Sequence, residues 1–261
     1  MTVQEAIEAI LAAAAVQPID GTVDTVKTGD AACPVTGVVT TFMATAAVIR
    51  RAAELGANLV ITHEPTFYNH RDETEPLRDD PVYRAKQRLL DEHGIVVWRF
   101  HDYWHRTRPD GIRTGVLRQL GWTDGTELER RYIATIDPTP LGELARLVGE
   151  RLGSARVLVA GPDDLLCRRV GMLLGSPPGH AHLGMLARED VDAVVCGELN
   201  EWEAPEYVRD AGLLGRPKGL IVVGHAPSEE PGMAYLAEWL RSVLPDVAVT
   251  HVPAGDPFRR A

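Results

Sequence analysis

Hydrophobic positions along this chain follow two rhythms. Over residues 2–16, Val3, Ile7, Ile10, Leu11 and Ala14 recur at helical spacing on one face, behind a Thr-x-x-Glu capping box made by Thr2 and Glu5. The β-rich runs 37–43 and 57–62 flank an alanine- and arginine-rich segment, 44–55, that closes at Gly56, so the order there is strand, helix, strand. Continuous apolar runs at 59–61, 95–98, 157–160, 191–196 and 220–223 alternate with helical stretches, as in sheets covered on both faces. Helices are predicted over 81–93, 141–152, 201–211 and 229–243. The fold class is α/β.

After residue 131 the chain starts again with a strand near 132–136, a helix after Pro138 and another strand. This predicts two similar α/β lobes, 1–126 and 127–261, with a seam at the GWTDGT segment 121–126. No repeat of fixed period and no low-complexity tract is present. The Gly- and Pro-rich run GSPPG at 175–179 reads as a loop.

Composition narrows the picture. Of 261 residues, 45% are hydrophobic and 25% charged, which is ordinary for a folded domain and excludes a disordered or fibrous chain. No run approaches the roughly 20 apolar residues that span a bilayer, and Glu5 and Glu8 stand where a secretion signal carries bases. Cys33, Cys167 and Cys196 form neither an even disulfide framework nor a CxxC pair, which fits a cytoplasmic protein. A net charge of -10 argues against a nucleic-acid partner and favours cations. The basic pair Arg130 and Arg131, preceded by Glu127 and Glu129, reads as solvated surface.

Candidate chemistry collects where the apolar runs end. Thr62-His63-Glu64-Pro65 stands where a buried strand gives way to a loop, the place at which open α/β sheets build their sites. An imidazole nitrogen beside a carboxylate oxygen suits a divalent transition metal, although a loop histidine beside a solvated glutamate reads equally well from this segment alone. His101-Asp102-Tyr103-Trp104-His105 follows a second strand, and one helical turn there places His101 and His105 on one face. Singly, these read as surface or packing histidines. The segment 224–230 (GHAPSEE) leaves a third strand and enters a helix. Ser228 as its cap and acids in its first turn account for Ser228, Glu229 and Glu230 without a metal, but not for His225.

Three strand ends, each with a His beside a second His or a carboxylate, point to one polynuclear site of His63, Glu64, His101, His105, His225 and Glu229. Six ligands exceed what one tetrahedral zinc with an open position needs. Two divalent ions about 3.5–4 Å apart fit, and such a pair lowers the pKa of a bridging water and favours hydrolysis. Zinc, iron, manganese, nickel and cobalt all suit this donor mix. Glu198, just past the 191–196 run, and His70, with Asp72 nearby, are candidate proton carriers. His180 and His182 read as substrate contacts or as structural groups, while His93 and His251 lack ligand-like company. Phe67, Tyr68, Trp104 and Trp202 form either an aromatic wall for a planar or apolar substrate or ordinary core. No GxGxxG, Walker A, GxSxG or HExxH pattern is present.

The runs LGANLVITHEPTFY, FHDYWH, VGMLLGSPPGH, VDAVVCGELNEWE and VVGHAPSEE, in that order, span nearly the whole chain. They resemble the NIF-three-like family of dinuclear metal proteins, often labelled GTP cyclohydrolase I type 2 homologues. The resemblance implies a two-lobed α/β chain, assembly as a toroidal homohexamer, and a metal pair in the cleft between lobes. It matches His63, His101, His225 and Glu229 to the family's metal site or its immediate surroundings, with His101 either binding or orienting a ligand. Glu64 stands where the family usually has a second His, and His105 where it has an Asp. These two exchanges offset one another in nitrogen and oxygen count and in formal charge. Glu201 and Trp202 replace a His pair that often follows the family's TGE motif. Two functions follow as expectations: a metal-dependent hydrolase of a small molecule acting through a bridging hydroxide, or a non-catalytic metal-binding or regulatory ring.

Overall fold

The computed structural model describes residues 1–122 and 132–259. The surface pair Arg130 and Arg131, with Glu127 and Glu129, and residues 123–126 of the expected seam lie outside the described residues. By contacts the chain divides into two compact units, Met1–Gly115 with Gly232–Ala254, and Val116–Pro231 with Gly255–Ala261. Each unit carries one five-stranded sheet among helices, the α/β class that the periodicity predicts.

In the first unit, β1 (Val26–Thr28), β2 (Val38–Thr41), β3 (Leu59–Thr62), β4 (Val96–Arg99) and β10 (Val249–His251) lie in the order β1-β4-β3-β2-β10. β10, β2, β3 and β4 run parallel, and β1 is antiparallel to β4. Every residue of β2, β3 and β4 is buried, as a parallel sheet with two covered faces requires. The capping box of Thr2 and Glu5 forms and opens helix Val3–Ala14, which buries Val3, Ala6, Ile7, Ile10 and Ala14. Thr45 and Asp80 cap helices Ala46–Glu54 and Pro81–Glu92, and Pro81 takes the first helical position, where its missing N–H costs nothing. Val48, Ile49, Ala52 and Leu90 pack with Val39, Val60 and Val97 in one core cluster. Thr62 of β3 pairs with Arg99 of β4, so the carboxyl ends of these neighbouring strands emerge together.

In the second unit, β5 (Ile133–Pro140), β6 (Leu158–Ala160), β7 (Leu166–Leu173), β8 (Ala193–Cys196) and β9 (Gly219–Val222) lie in the order β5-β7-β8-β9-β6. β7, β8 and β9 are parallel, and both edges are antiparallel. Helix Leu141–Leu152 falls on the predicted 141–152 and ends at Gly153, whose φ of 65° suits a left-handed cap. Three expectations need correction. The 157–160 run is not a doubly covered strand: as the sheet edge, β6 leaves Leu158 50% and Val159 42% exposed. The helix predicted over 201–211 is Ala204–Leu213, its start set by Pro205 in the first turn. The helix predicted over 229–243 begins earlier, at His225, and holds Pro231 inside it. Ser228 is therefore not its cap, and its first turn carries no acid. Among the described residues no helix is long and apolar enough to cross a membrane.

Candidate metal centre

In the first unit the chain leaves β3 at Thr62 directly into His63 and Glu64, and leaves β4 through Phe100 into His101. Because the strands are parallel neighbours, the rings of His63 and His101 stack with centroids 4.5 Å apart. A short helix, Asp102–Arg106, then returns His105 to the same place, its amide donating to the His101 carbonyl at 3.1 Å. The His105 ring lies 4.9 Å from His63 and 5.0 Å from His101. One donor nitrogen from each of the three lies within 4.8 Å of the other two, a group able to hold a metal ion.

This short helix does not cap itself. Asp24, from the loop before β1, accepts the amides of His101, Asp102 and Tyr103 at 2.8, 3.0 and 2.9 Å. Burial raises the Asp24 pKa against these hydrogen bonds. Nδ1 of His101 meets Asp102 Oδ1 at 3.0 Å, and Nδ1 of His105 meets Asp110 Oδ2 at 3.1 Å. Burial acts to raise both carboxyls. Hydrogen bonds from His101 and Thr22 overcome it at Asp102, and those from His105 and the Arg113 amide, with the charges of His105 and Arg113, overcome it at Asp110, so both sit below their ordinary range. An ionised carboxylate only accepts, so each Nδ1 is the donor to it and Nε2 is left as the ring's position for a ligand bond. Burial first, then the charges of His63 and His105, lower the His101 pKa to about 4. Its neutral, ligand-competent form therefore dominates near pH 7.

Glu64 joins the cluster with Oε1 3.6 Å from His101 Nε2. Its other oxygen accepts from Arg99 Nη2 at 3.2 Å. Arg99 is wholly buried, and it also donates to the carbonyls of His63 at 2.9 Å and His70 at 2.6 Å, tying the loop after β3 to the end of β4. Asp72 accepts the Phe67 amide at 2.6 Å and pairs with Lys27 at 3.6 Å, so it folds that loop. His70 is exposed and is held through its carbonyl.

In the second unit the ends of β8 and β9 set Glu198 beside His225. His225 Nδ1 lies 3.3 Å from Glu198 Oε1, and Nε2 lies 3.0 Å from Glu229 Oε2, one helical turn on. Ser228, buried below them, donates to the His225 carbonyl at 2.7 Å and accepts the Gly175 amide at 2.9 Å. A side chain on Gly197 would strike the Gly175 carbonyl and the Ser228 hydroxyl, and one on Gly175 would strike the Glu229 carboxylate. Glycine is needed at Gly197 because the strand ends approach so closely, and at Gly175 because its φ of 70° is left-handed.

The aromatic candidates divide between core and surface. Phe67 and Trp104 are buried, packed on Tyr83 and on Tyr235 and Trp239, so the aromatic wall fails for these two because the core claims them. Tyr68 and Trp202 are exposed. His182 is buried and His180 exposed on helix Gly179–Leu186, and His251 packs its Nδ1 3.1 Å from the Thr40 carbonyl. Arg99, Asp24 and Asp110 are the groups that sequence reasoning did not single out. Arg99 had a signal, a charge closing an otherwise apolar run, and Asp110 stands five residues beyond a candidate ligand. Asp24 had none, because its role depends on the tertiary fold.

An α/β protein with His and Glu candidate metal ligands at the carboxyl ends of parallel strands is the class that fold and site define. The chain belongs to the Duf34/NIF3 (NGG1p interacting factor 3) family, whose model matches residues 1–256. It is similar to the Escherichia coli (strain K12) protein named GTP cyclohydrolase 1 type 2 homolog, at 27% identity over 222 residues, 84% of this chain and 85% of the relative. Staphylococcus aureus hypothetical protein SA1388 shares the fold with a TM-score of 0.79 at 18% identity, over 100% of this chain and 99% of that one. The Bacillus cereus protein related to NIF3 does so with a TM-score of 0.77 at 16% identity, over the same shares.

Proposed function

We propose that this protein is a metal-dependent hydrolase of a small molecule, with two divalent ions held by His63, Glu64, His101, His105, His225 and Glu229. The observation that carries the reading is the pair of carboxylates on Nδ1 of His101 and His105. Carboxylates placed behind imidazoles fix the tautomer and raise ligand basicity, an arrangement suited to metal-binding histidines. The mixed donors fit zinc, iron, manganese, nickel or cobalt. When bound, such ions polarise a substrate and supply a water of lowered pKa.

The chain's own groups have separate tasks. Arg99 holds the backbone of His63 and the carboxylate of Glu64 in place. Glu198, with its side chain 56% exposed beside His225, is positioned to pass protons between the site and solvent. His70, on the exposed loop after Glu64, is the second proton carrier in this reading. The family likeness further supports a homohexamer, and the cysteine pattern supports the cytoplasm.

The test is elemental analysis of protein purified without chelator, followed by turnover of a panel of cyclic amidines, amides and esters after metal loading. Two ions per chain and hydrolysis of one class are expected. Two ions with no turnover would replace the hydrolase by a non-catalytic metal-binding ring, and no stoichiometric metal would overturn both.

A further inference from the structure

A cleft of about 290 Å³ opens between edge strand β6 and helix Ala204–Leu213, entirely within the second unit. Its floor is apolar, with Leu158, Val159, Leu199, Leu220 and Val222. One end reaches Glu198 and Gly224, the residue before His225, so the cleft adjoins the Glu198–His225 pair. The proposed chemistry assigns no task to this space, which has the size of a small ring.

At its rim stands a pre-set guanidinium. The Arg156 guanidinium carbon lies 4.1 Å from the Phe258 ring centroid, and its Nε lies 3.8 Å from Asp256. Stacking fixes one face of the group and Asp256 approaches one edge. Among the described residues neither Nη atom has a hydrogen-bond partner, so the edge best suited to two oxygens retains its donors. Arg209, also on the rim, is already paired with Glu206 at 3.1 Å.

We propose that this cleft is a specificity subsite taking a flat apolar or aromatic group that bears an anionic oxygen substituent, carboxylate or phosphate, with the anion on the Nη edge of Arg156. The proposal rests on the metal-site reading only for where the rest of the substrate lies. Phe258 and Asp256 act as positioning residues that hold the guanidinium flat.

The experiment is a methyl-NMR titration of the intact, metal-loaded protein with phenyl phosphate, and in parallel with benzyl alcohol and inorganic phosphate. Phenyl phosphate is expected to shift the methyl signals of Leu158, Val159 and Leu199, with the two half-probes about tenfold weaker at those methyls. Benzoate in place of phenyl phosphate separates a carboxylate from a phosphate preference. Arg156→Gln should weaken phenyl phosphate about tenfold, and Arg209→Gln by less than about twofold. Leu158→Glu, on a half-exposed edge position, gives an independent loss by placing an anion in the cleft. The subsite is overturned if affinity survives both Arg156→Gln and Leu158→Glu, or if the shifts fall outside the cleft. Metal content measured on the same samples keeps the readings apart, because loss of metal with cleft binding intact would count against the metal centre alone.

Discussion

His105 and Asp110 face each other across one turn of chain, Nδ1 to Oδ2 at 3.1 Å, and Asp110 also accepts the Arg113 amide at 3.0 Å through its other oxygen. One carboxylate thus orients a candidate ligand and starts helix Gly111–Leu120. Asp110→Asn separates these roles, since asparagine caps as well as aspartate but lacks the charge behind the imidazole. Metal affinity should fall roughly 10–100-fold by chelator competition while the unfolding midpoint stays near wild type. Unchanged affinity would leave Asp110 as a cap alone.

Arg99 links the two strand ends more directly than any ligand does. Arg99→Met removes a buried guanidinium and leaves the carbonyls of His63 and His70 and the carboxylate of Glu64 short of a donor. A stability loss of roughly 3–5 kcal/mol in urea unfolding is expected, with reduced metal content. If the midpoint and the metal both hold, the clamp contributes nothing.

The candidate ligands His63 and His101 were legible in the sequence because they follow buried apolar runs, and a parallel sheet delivers such ends to one edge. The i, i+4 spacing of His101 and His105 was legible for the same local reason. What orients them was not. Asp24 lies 77 residues before His101, and only the antiparallel pairing of β1 with β4 brings its loop there. The last long helix starts at His225 rather than after a Ser228 cap, because Pro227 is accommodated in its first turn, where no N–H is needed. β1 (VKT) and β10 (VTH) were missed because neither is a continuous apolar run, unlike the equally short β6.

Lys86 supplies a pH test away from the candidate ligands. It is 6% exposed, donates to the Thr66 carbonyl at 2.5 Å and lies over the Tyr68 ring. Burial lowers its pKa to about 8 from the 10.5 of an unperturbed lysine, with Asp72 opposing. Between these values the unfolded chain binds the extra proton, so stability rises with pH across that window and is depressed below it. The full span is worth about 3 kcal/mol. Lys86→Met should be favoured most over wild type near pH 7.5, and the difference should shrink by pH 10 in urea titrations. A difference that does not vary with pH would mean that Lys86 is not destabilised as a cation.

Glu64 and His105 offer the sharpest test of the site's composition. Both border the same histidines: Glu64 Oε1 lies 3.6 Å from His101 Nε2, and the His105 ring lies 4.9 Å from that of His63. The family resemblance implies His and Asp at these two positions, so on that reading the chain exchanges nitrogen for oxygen at Glu64 and oxygen for nitrogen at His105. If the exchange is reciprocal, Glu64→His and His105→Asp each unbalance the donor set, and each alone should lower bound metal per chain. The double variant restores the family's pattern and should regain about two ions, giving a coupling between the sites well beyond additivity. Glu64→His also takes the carboxylate from Arg99 Nη2, so the double variant is expected to recover metal without recovering all of the wild-type unfolding midpoint. Single variants that keep a full complement of metal, or a double variant no better than the worse single, would show that the two positions act independently.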